Sequence, residues 1–523
     1  MEKDSEELES LKNDLDNLVE STLEERDSQI PGMAVAVFRG SQKQYFRGFG
    51  VADIEKRSPI QPNTVFRLAS ISKVITTIAL MQFWEKGKFS LDDPIKGYLP
   101  NEGKNLIKKN EGWADITFNH LLTHRSGIGE LPRKKSVLKA PGFGLNVKYP
   151  KPLSGLSSLV SKNIKPDSPP DLKYAYCNFA YAILGYIVES FSGMDFRDYA
   201  VEFIFKPLEM PNSDFVRSER IRNKESVGYI EKILGKGVKT ATYWQGGMIS
   251  AGNLYSTVKD MANLGKMLLN GGRYKDTRIL KKSTIDMCWE PHYYAHSSLK
   301  DIHAIGYTFH LFKYKNTKIV GHTGLLNGFT SAFMMIPEED LSVMVFSNLG
   351  ELIISDQTQR VKNLVIQYLM HRNSEIQLKE QLRQKRKEKL GYDMTAVEKI
   401  EGIYGSYPGI LTNVRIIMMG AEFKVHFKEN KLILKGLYGP YRKGKTLKPT
   451  ENPYVFSYDT KNGSFIRDEN RIVFKKDKNG KVTHMCWHLY QLPRKKKIYH
   501  MLRYRCVFIL LILMLLMVVI AFF

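Results

Sequence analysis

Cysteine is scarce in this chain. Four residues in 523 (Cys177, Cys288, Cys486 and Cys506) stand far apart with no C-x-x-C spacing. That pattern excludes a disulfide framework and a cysteine zinc site, and a reduced compartment is the simplest setting. No H-E-x-x-H or other metal-ligand spacing occurs, so the chemistry calls for no metal or cofactor. No G-x-S-x-G is present, which removes the nucleophile elbow of the α/β-hydrolases. The opening residues, MEKDSEELESLKNDLDNLVE, lack the basic start and apolar run of a secretory signal. No internal repeat is evident.

What is present is a globular composition, 43% hydrophobic and 25% charged, with a formal net charge of +24. A chain of this length exceeds one ordinary core, so two or more folded units are expected. The excess of Lys and Arg gathers at Arg372–Lys389 and Arg494–Arg505 without a recognition motif or aromatic interleaving, which argues against a nucleic-acid partner. Leu8, Leu11, Leu15, Leu18 and Leu23 recur at near-helical spacing and predict an acidic amphipathic helix over residues 1–30.

At the other end, CVFILLILMLLMVVIAFF (506–523) is uninterrupted apolar sequence, long enough to cross a hydrocarbon core as a single membrane anchor. The basic run over 493–505 precedes it, and basic flanks stay cytoplasmic, so the body is expected to face the cytoplasm. Between these ends, residues 31–390 mix strands with buried helices, and 391–492 read as short strands punctuated by turns, a small all-β barrel. The region from Pro132 to Pro170 is basic and rich in Gly, Pro and Ser, a long surface excursion. A helix is expected from about Ser355 to Leu390, and Ser256 is placed to cap the helix that follows it.

The spacing Ser-x-x-Lys occurs four times, at Ser70/Lys73, Ser136/Lys139, Ser256/Lys259 and Ser297/Lys300. Only Ser70 opens a segment, FRLASISKVITTIALM, whose apolar residues leave no polar face and which therefore reads as a buried helix. Residues three apart share a helix face, so Lys73 lies over Ser70. Burying a lysine beside a hydroxyl costs free energy unless the ammonium is paired or gives up its proton more readily, and a lysine shifted in that way can help deprotonate serine. A structural cap with a solvated lysine is the plainer alternative. His124 and Ser126, in LLTHRSGI, suggest a conventional triad less than they suggest a structural turn.

Tyr176-Cys177-Asn178 stands immediately before a second apolar helix, and His322-Thr323-Gly324 ends a predicted strand. With Ser70-x-x-Lys73, and with SLDDPIKGYLP and AGNLYSTVKDMANLGKMLLNGG in order between them, the stretch from about Pro31 to Met370 resembles the serine β-lactamase and penicillin-recognising superfamily. The likeness is to the branch of class C β-lactamases, D-aminopeptidases, D-Ala-D-Ala carboxypeptidases, esterases and animal β-lactamase-like proteins. It implies an α+β fold, an antiparallel sheet flanked by helices with an all-helical subdomain; the 391–492 region resembles lipocalin-like barrels appended to some members. It further implies catalytic roles for Ser70 as nucleophile, Lys73 as proton relay and Tyr176 as base. Asn178, His322, Thr323, Gly324 and Leu325 would bind substrate, with the amides of Ser70 and Leu325 as oxyanion hole. The substrate would be a small peptide, amide or ester. The resemblance leaves room for an acyltransferase, or for a non-catalytic or filament-forming scaffold, and for a homo-oligomer. Many β-lactamases carry Lys-Thr-Gly where this chain has His322-Thr323-Gly324, so efficient β-lactam turnover is not expected.

Overall fold

A computed structural model describes residues 2–24, 30–40, 43–99, 115–128, 166, 168–232, 237–243, 248–314, 316–350, 357–372, 390–405, 422–437, 441–458 and 470–495. The expected membrane span, the basic run beyond 495, the pair Ser136/Lys139 and nearly all of the Pro132–Pro170 excursion lie outside these residues. Among the described residues no helix is long and apolar enough to cross a membrane. The chain divides into two compact units, one holding the sequence through Tyr293 and resuming at His303, the other holding Tyr294–Ile302 with the later strands.

The first unit is built on an eight-stranded sheet in the order Ala304–Ile305, His310–Tyr314, Thr317–Leu326, Phe329–Ile336, Leu341–Ser347, Gly32–Arg39, Lys43–Asp53 and Ser58–Pro59. Its ladders are antiparallel. The strand Gly32–Arg39 is apolar at nearly every position because both of its faces are covered, which removes the usual alternation. Met33, Val35 and Val37 share a core with Leu15 and Val19 of the helix Glu2–Leu23 and with Val361 and Val365 of the helix Gln357–Arg372. Ala34, Ala36 and Phe38 face the main core instead, beside the helices Ser72–Glu85, Asn178–Ser192 and Val258–Leu269. The helix expected from Ser355 is observed over Gln357–Arg372, and residues 373–389 fall outside the description.

Ser256 is not the helix cap. It ends the strand Leu254–Ser256 opposite Phe66, and its hydroxyl is bonded to Ser213 Oγ at 2.7 Å, so Thr257 takes over, its Oγ1 accepting the Asp260 amide at 3.0 Å.

The second unit is an eight-stranded antiparallel sheet ordered Gly402–Gly405, Glu422–Lys428, Lys431–Gly436, Lys445–Pro449, Val455–Tyr458, Asn470–Lys476, Val482–Trp487 and Tyr490–Pro493. Its edges nearly close: Tyr404 bridges Arg494, and the Lys495 amide donates to the Ile403 carbonyl at 2.7 Å. Inside, Trp487 Nε1 donates to the Tyr458 hydroxyl at 2.8 Å, satisfying a buried indole among Phe423, Tyr441 and Leu447. Ala295 and Leu299, from a segment whose chain neighbours on both sides belong to the first unit, pack on Val455, Val473 and Cys486.

Candidate active site

The site begins at a kink. The strand Phe66–Ala69 pairs with Leu254–Ser256, and its register slips between Arg67 and Ala69. Ala69 has φ +48°, a left-handed conformation that costs a residue with Cβ about 1 kcal/mol. The kink delivers Ser70 to the turn just before the helix Ser72–Glu85. Ser72 ties that turn down, its hydroxyl donating to the Ala69 carbonyl at 2.6 Å and accepting the Leu254 amide at 2.9 Å.

Lys73 follows one helical turn later and is completely buried. Its Nζ donates to Ser70 Oγ at 3.1 Å, to Asn178 Oδ1 at 2.8 Å and to the Ala251 carbonyl at 2.6 Å. An ammonium has three N–H donors, and all three find acceptors here. The rings of Tyr176 and Tyr181 stand 5.0 and 5.5 Å from Nζ, a cation–π setting that offsets part of the cost of burial. Burial pushes the Tyr181 phenol far above the ordinary tyrosine range, so it stays neutral, donating to the Leu122 carbonyl at 2.9 Å.

Tyr176 meets Ser70 from the other side, its hydroxyl donating to Ser70 Oγ at 2.8 Å. The chain positions it through Cys177, whose sulfur caps the helix Asn178–Ser192 by accepting the Ala180 amide at 3.3 Å. The Cys177 amide in turn donates to His124 Nδ1 at 3.1 Å, and the His124 ring lies 4.2 Å from that of Tyr176. His124 is fully buried at φ +58°. It supports Tyr176 rather than serving a triad, and Ser126 is engaged with the Ile128 amide at 3.3 Å.

The strand Thr317–Leu326 borders the Ser70 strand. Gly324 is required there, because a Cβ on it would lie 2.1 Å from the Leu68 carbonyl oxygen and 2.4 Å from Ser331 Oγ. His322, two residues back on the same face, is buried, its Nδ1 donating to the Thr323 carbonyl at 2.6 Å and its ring edge-on to His310 at 5.2 Å. Thr323 is half-buried and Leu325 is 50% exposed on the opposite face of the strand. Ser70 is 8% exposed, Lys73 and Tyr176 are buried, and Asn178 is half-buried.

Ser70, Lys73, Tyr176 and Asn178 therefore come together in one hydrogen-bonded group. Reasoning from sequence missed the Ala251 carbonyl, because a backbone acceptor leaves no side-chain signature, and the seat that His124 makes for Tyr176. Tyr181 carried a faint signal, three residues after Asn178 on the same helix.

The sequence profile of the Beta-lactamase family matches residues 15–364. The chain is 22% identical over 358 residues to Protein flp of Staphylococcus aureus strain MW2, covering 68% of this chain and 66% of that protein. It thus spans just under two thirds of that relative's length. It is 25% identical over 382 residues to the human mitochondrial serine beta-lactamase-like protein LACTB, covering 59% of this chain and 69% of that protein. Among solved structures, the octameric penicillin-binding protein homologue from Pyrococcus abyssi has a TM-score of 0.58 at 23% identity, covering 92% of this chain and 99% of that one. The D-amino acid amidase from Ochrobactrum anthropi SV3 has a TM-score of 0.55 at 22% identity, covering 69% and 100%. The class C beta lactamase from Rhodobacter sphaeroides has a TM-score of 0.54 at 21% identity, covering 68% and 99%. At these identities the structural likeness establishes the fold, the β-lactamase/transpeptidase-like α+β arrangement.

Proposed function

Because the chain belongs to the Beta-lactamase family, whose profile spans residues 15–364, we propose that it is a serine hydrolase working through an acyl-enzyme on Ser70. The observation that carries this reading is the convergence of the Tyr176 hydroxyl and Lys73 Nζ on Ser70 Oγ, at 2.8 and 3.1 Å. The Lys73/Tyr176 pair, one proton short of full protonation, takes the Ser70 proton as Oγ bonds to the substrate carbonyl carbon. Lys73 Nζ and the Tyr176 hydroxyl both reach Ser70 Oγ, so either can pass the proton on to the other through it. The amides of Ser70 and Leu325 would hold the oxyanion. The pair then returns the proton to the leaving nitrogen as the C–N bond breaks. Water releases the acyl group by the same route in reverse, yielding a carboxylic acid. An alcohol or amine in place of that water turns hydrolysis into acyl transfer.

The substrate class we propose is a small peptide or other amide, with esters second. His322 stands where many β-lactamases have lysine, a weaker and pH-sensitive contact for the β-lactam carboxylate. The amidase among the structural neighbours supports the same order. We further propose a single anchor at Cys506–Phe523 with the body on the cytoplasmic side, supported by the apolar run and its basic flank. A homo-oligomer belongs to the same proposal, supported by the octameric state of the Pyrococcus homologue.

A fluorophosphonate or penicillin probe tests the catalytic reading. The full chain is expected to form a covalent adduct that Ser70→Ala abolishes while its circular dichroism and melting temperature stay unchanged. An adduct that persists in Ser70→Ala would place the nucleophile elsewhere, and none in the wild type would move the reading to a scaffold that keeps only the fold.

A further inference from the structure

The barrel carries charge where a sheet ordinarily avoids it. On three neighbouring strands, Glu422–Lys428, Lys431–Gly436 and Lys445–Pro449, the exposed positions are Lys424, Lys428, Lys431, Lys435, Thr446 and Lys448. The register sets Lys424 opposite Lys435, and Lys428 opposite Lys431, around a two-residue turn in which Glu429 and Asn430 both have positive φ. Like charges directly across a ladder destabilise it, so this arrangement costs the barrel stability without serving its fold. The counter-charge at the turn is Glu429, 3.2 Å from Lys428. The lysine field is felt by half-buried His426, which burial first, and then Lys424 with Lys435 and Lys428 against Glu401, holds below the ordinary histidine range.

The chain leaves the barrel beside this patch. Lys495 donates its amide to Ile403, Ile403 stands opposite Lys424, and Lys424 stands opposite Lys435. A single row across the sheet thus runs from the exit to the lysine pair, at about 5 Å per strand. After Lys495 the sequence continues KKIYHMLRYR and enters the apolar run at Cys506. A second basic group, Lys475, Lys478 and Lys481, lies on and after the strand Asn470–Lys476, three strands away from Lys431–Gly436 in the sheet order. It surrounds a turn whose Asp477 carboxylate accepts the Asn479 and Lys481 amides, each at 3.0 Å.

We propose that the face formed by Lys424, Lys428, Lys431, Lys435 and Lys448 docks on anionic lipid headgroups of the membrane that the C-terminal run enters. The proposal rests on the anchor reading for its geometry, and charge complementarity with the anionic leaflet supplies the attraction. The repulsion between facing lysines is then relieved in the docked state.

The test reconstitutes the full chain into vesicles of phosphatidylcholine alone or mixed with phosphatidylserine, acylates the lysines with an amine-reactive probe, and reads each site by mass spectrometry. Lys424, Lys431 and Lys435 are expected to react about fivefold more slowly with phosphatidylserine present. Lys475 and Lys478 should be unchanged, and high salt should erase the difference. Lys424→Glu, which replaces a repulsive pair by an attractive one and so keeps the barrel folded, should release the protection of Lys428 and Lys431. Equal labelling in both lipids, or protection confined to Lys475 and Lys478, would overturn the proposal. Protection conferred by added RNA and not by phosphatidylserine would overturn it in favour of a nucleic-acid surface. Alkaline extraction of the same vesicles scores the anchor separately. A chain stripped by alkali that still shows the phosphatidylserine pattern keeps the docking face and loses the anchor.

Discussion

Lys73 Nζ meets three acceptors, Ser70 Oγ, Asn178 Oδ1 and the Ala251 carbonyl, and the Tyr176 hydroxyl reaches the same Ser70 oxygen from the other side. Tyr176→Phe removes the tyrosine hydroxyl and keeps the ring that rests on His124. It is expected to lower kcat by roughly 10²–10⁴-fold with little change in melting temperature. Steady-state kinetics beside thermal melts of the two proteins check this. A variant that keeps the wild-type kcat would assign the base elsewhere. At this scale the sequence was informative where side chains at recognisable spacings come together, as Ser70, Lys73, Tyr176 and Asn178 do. It was silent where the partner is backbone, as at Ala251, or a contact across the fold, as between His124 and Tyr176.

The elements behind Ser70 are held by one carboxylate. Asp214 is fully buried and exchanges backbone hydrogen bonds with Tyr255 at 3.1 and 2.8 Å, in the strand that pairs with Phe66–Ala69. Its side chain accepts from Arg197 at 2.8 and 3.0 Å, from Arg220 at 3.1 Å and from the Phe215 amide at 2.7 Å. Burial alone would push this carboxyl up, but the hydrogen bonds and charge of Arg197, helped by Ser218 and Arg220, outweigh it and hold it below the ordinary carboxylate range. A depressed acid contributes stability that is present above the unfolded value and is lost as pH falls through the folded one. Asp214→Asn should therefore destabilise the first unit by about 3 kcal/mol at neutral pH, the low end for a broken buried pair because both arginines are partly exposed. Urea unfolding at neutral and strongly acid pH checks this. The gap between wild type and variant should shrink only below the ordinary carboxylate range, and a gap that closes near pH 5 would place the effect on another group. Among elements, the apolar strand Gly32–Arg39 and the helix Ser72–Glu85 were legible because burial on all sides leaves an uninterrupted apolar pattern. Ser256 misled because a serine before a helix reads as a cap, whereas a long-range bond to Ser213 had already engaged it.

For the molecule as a whole, the basic flank before Cys506 predicts a topology. Protease added to sealed microsomes carrying the full chain should cleave the body from the cytosolic side. A protected or glycosylated body would reverse the proposed orientation. The two-unit organisation was visible as a change of texture after Gly391, from buried helices to short strands with turns. The segment Tyr294–Ile302 was not visible, because nine residues carry too little pattern to announce which unit they join. Their placement has a consequence in time. During synthesis Ala295 and Leu299 emerge long before Val455, Val473 and Cys486, the side chains that cover them. At about 5–20 residues per second, the ribosome keeps those apolar side chains waiting on the order of ten seconds or more. Ala295 and Leu299 therefore stay uncovered while more than 150 further residues are made, and a chain that stops soon after residue 390 never makes the side chains that cover them.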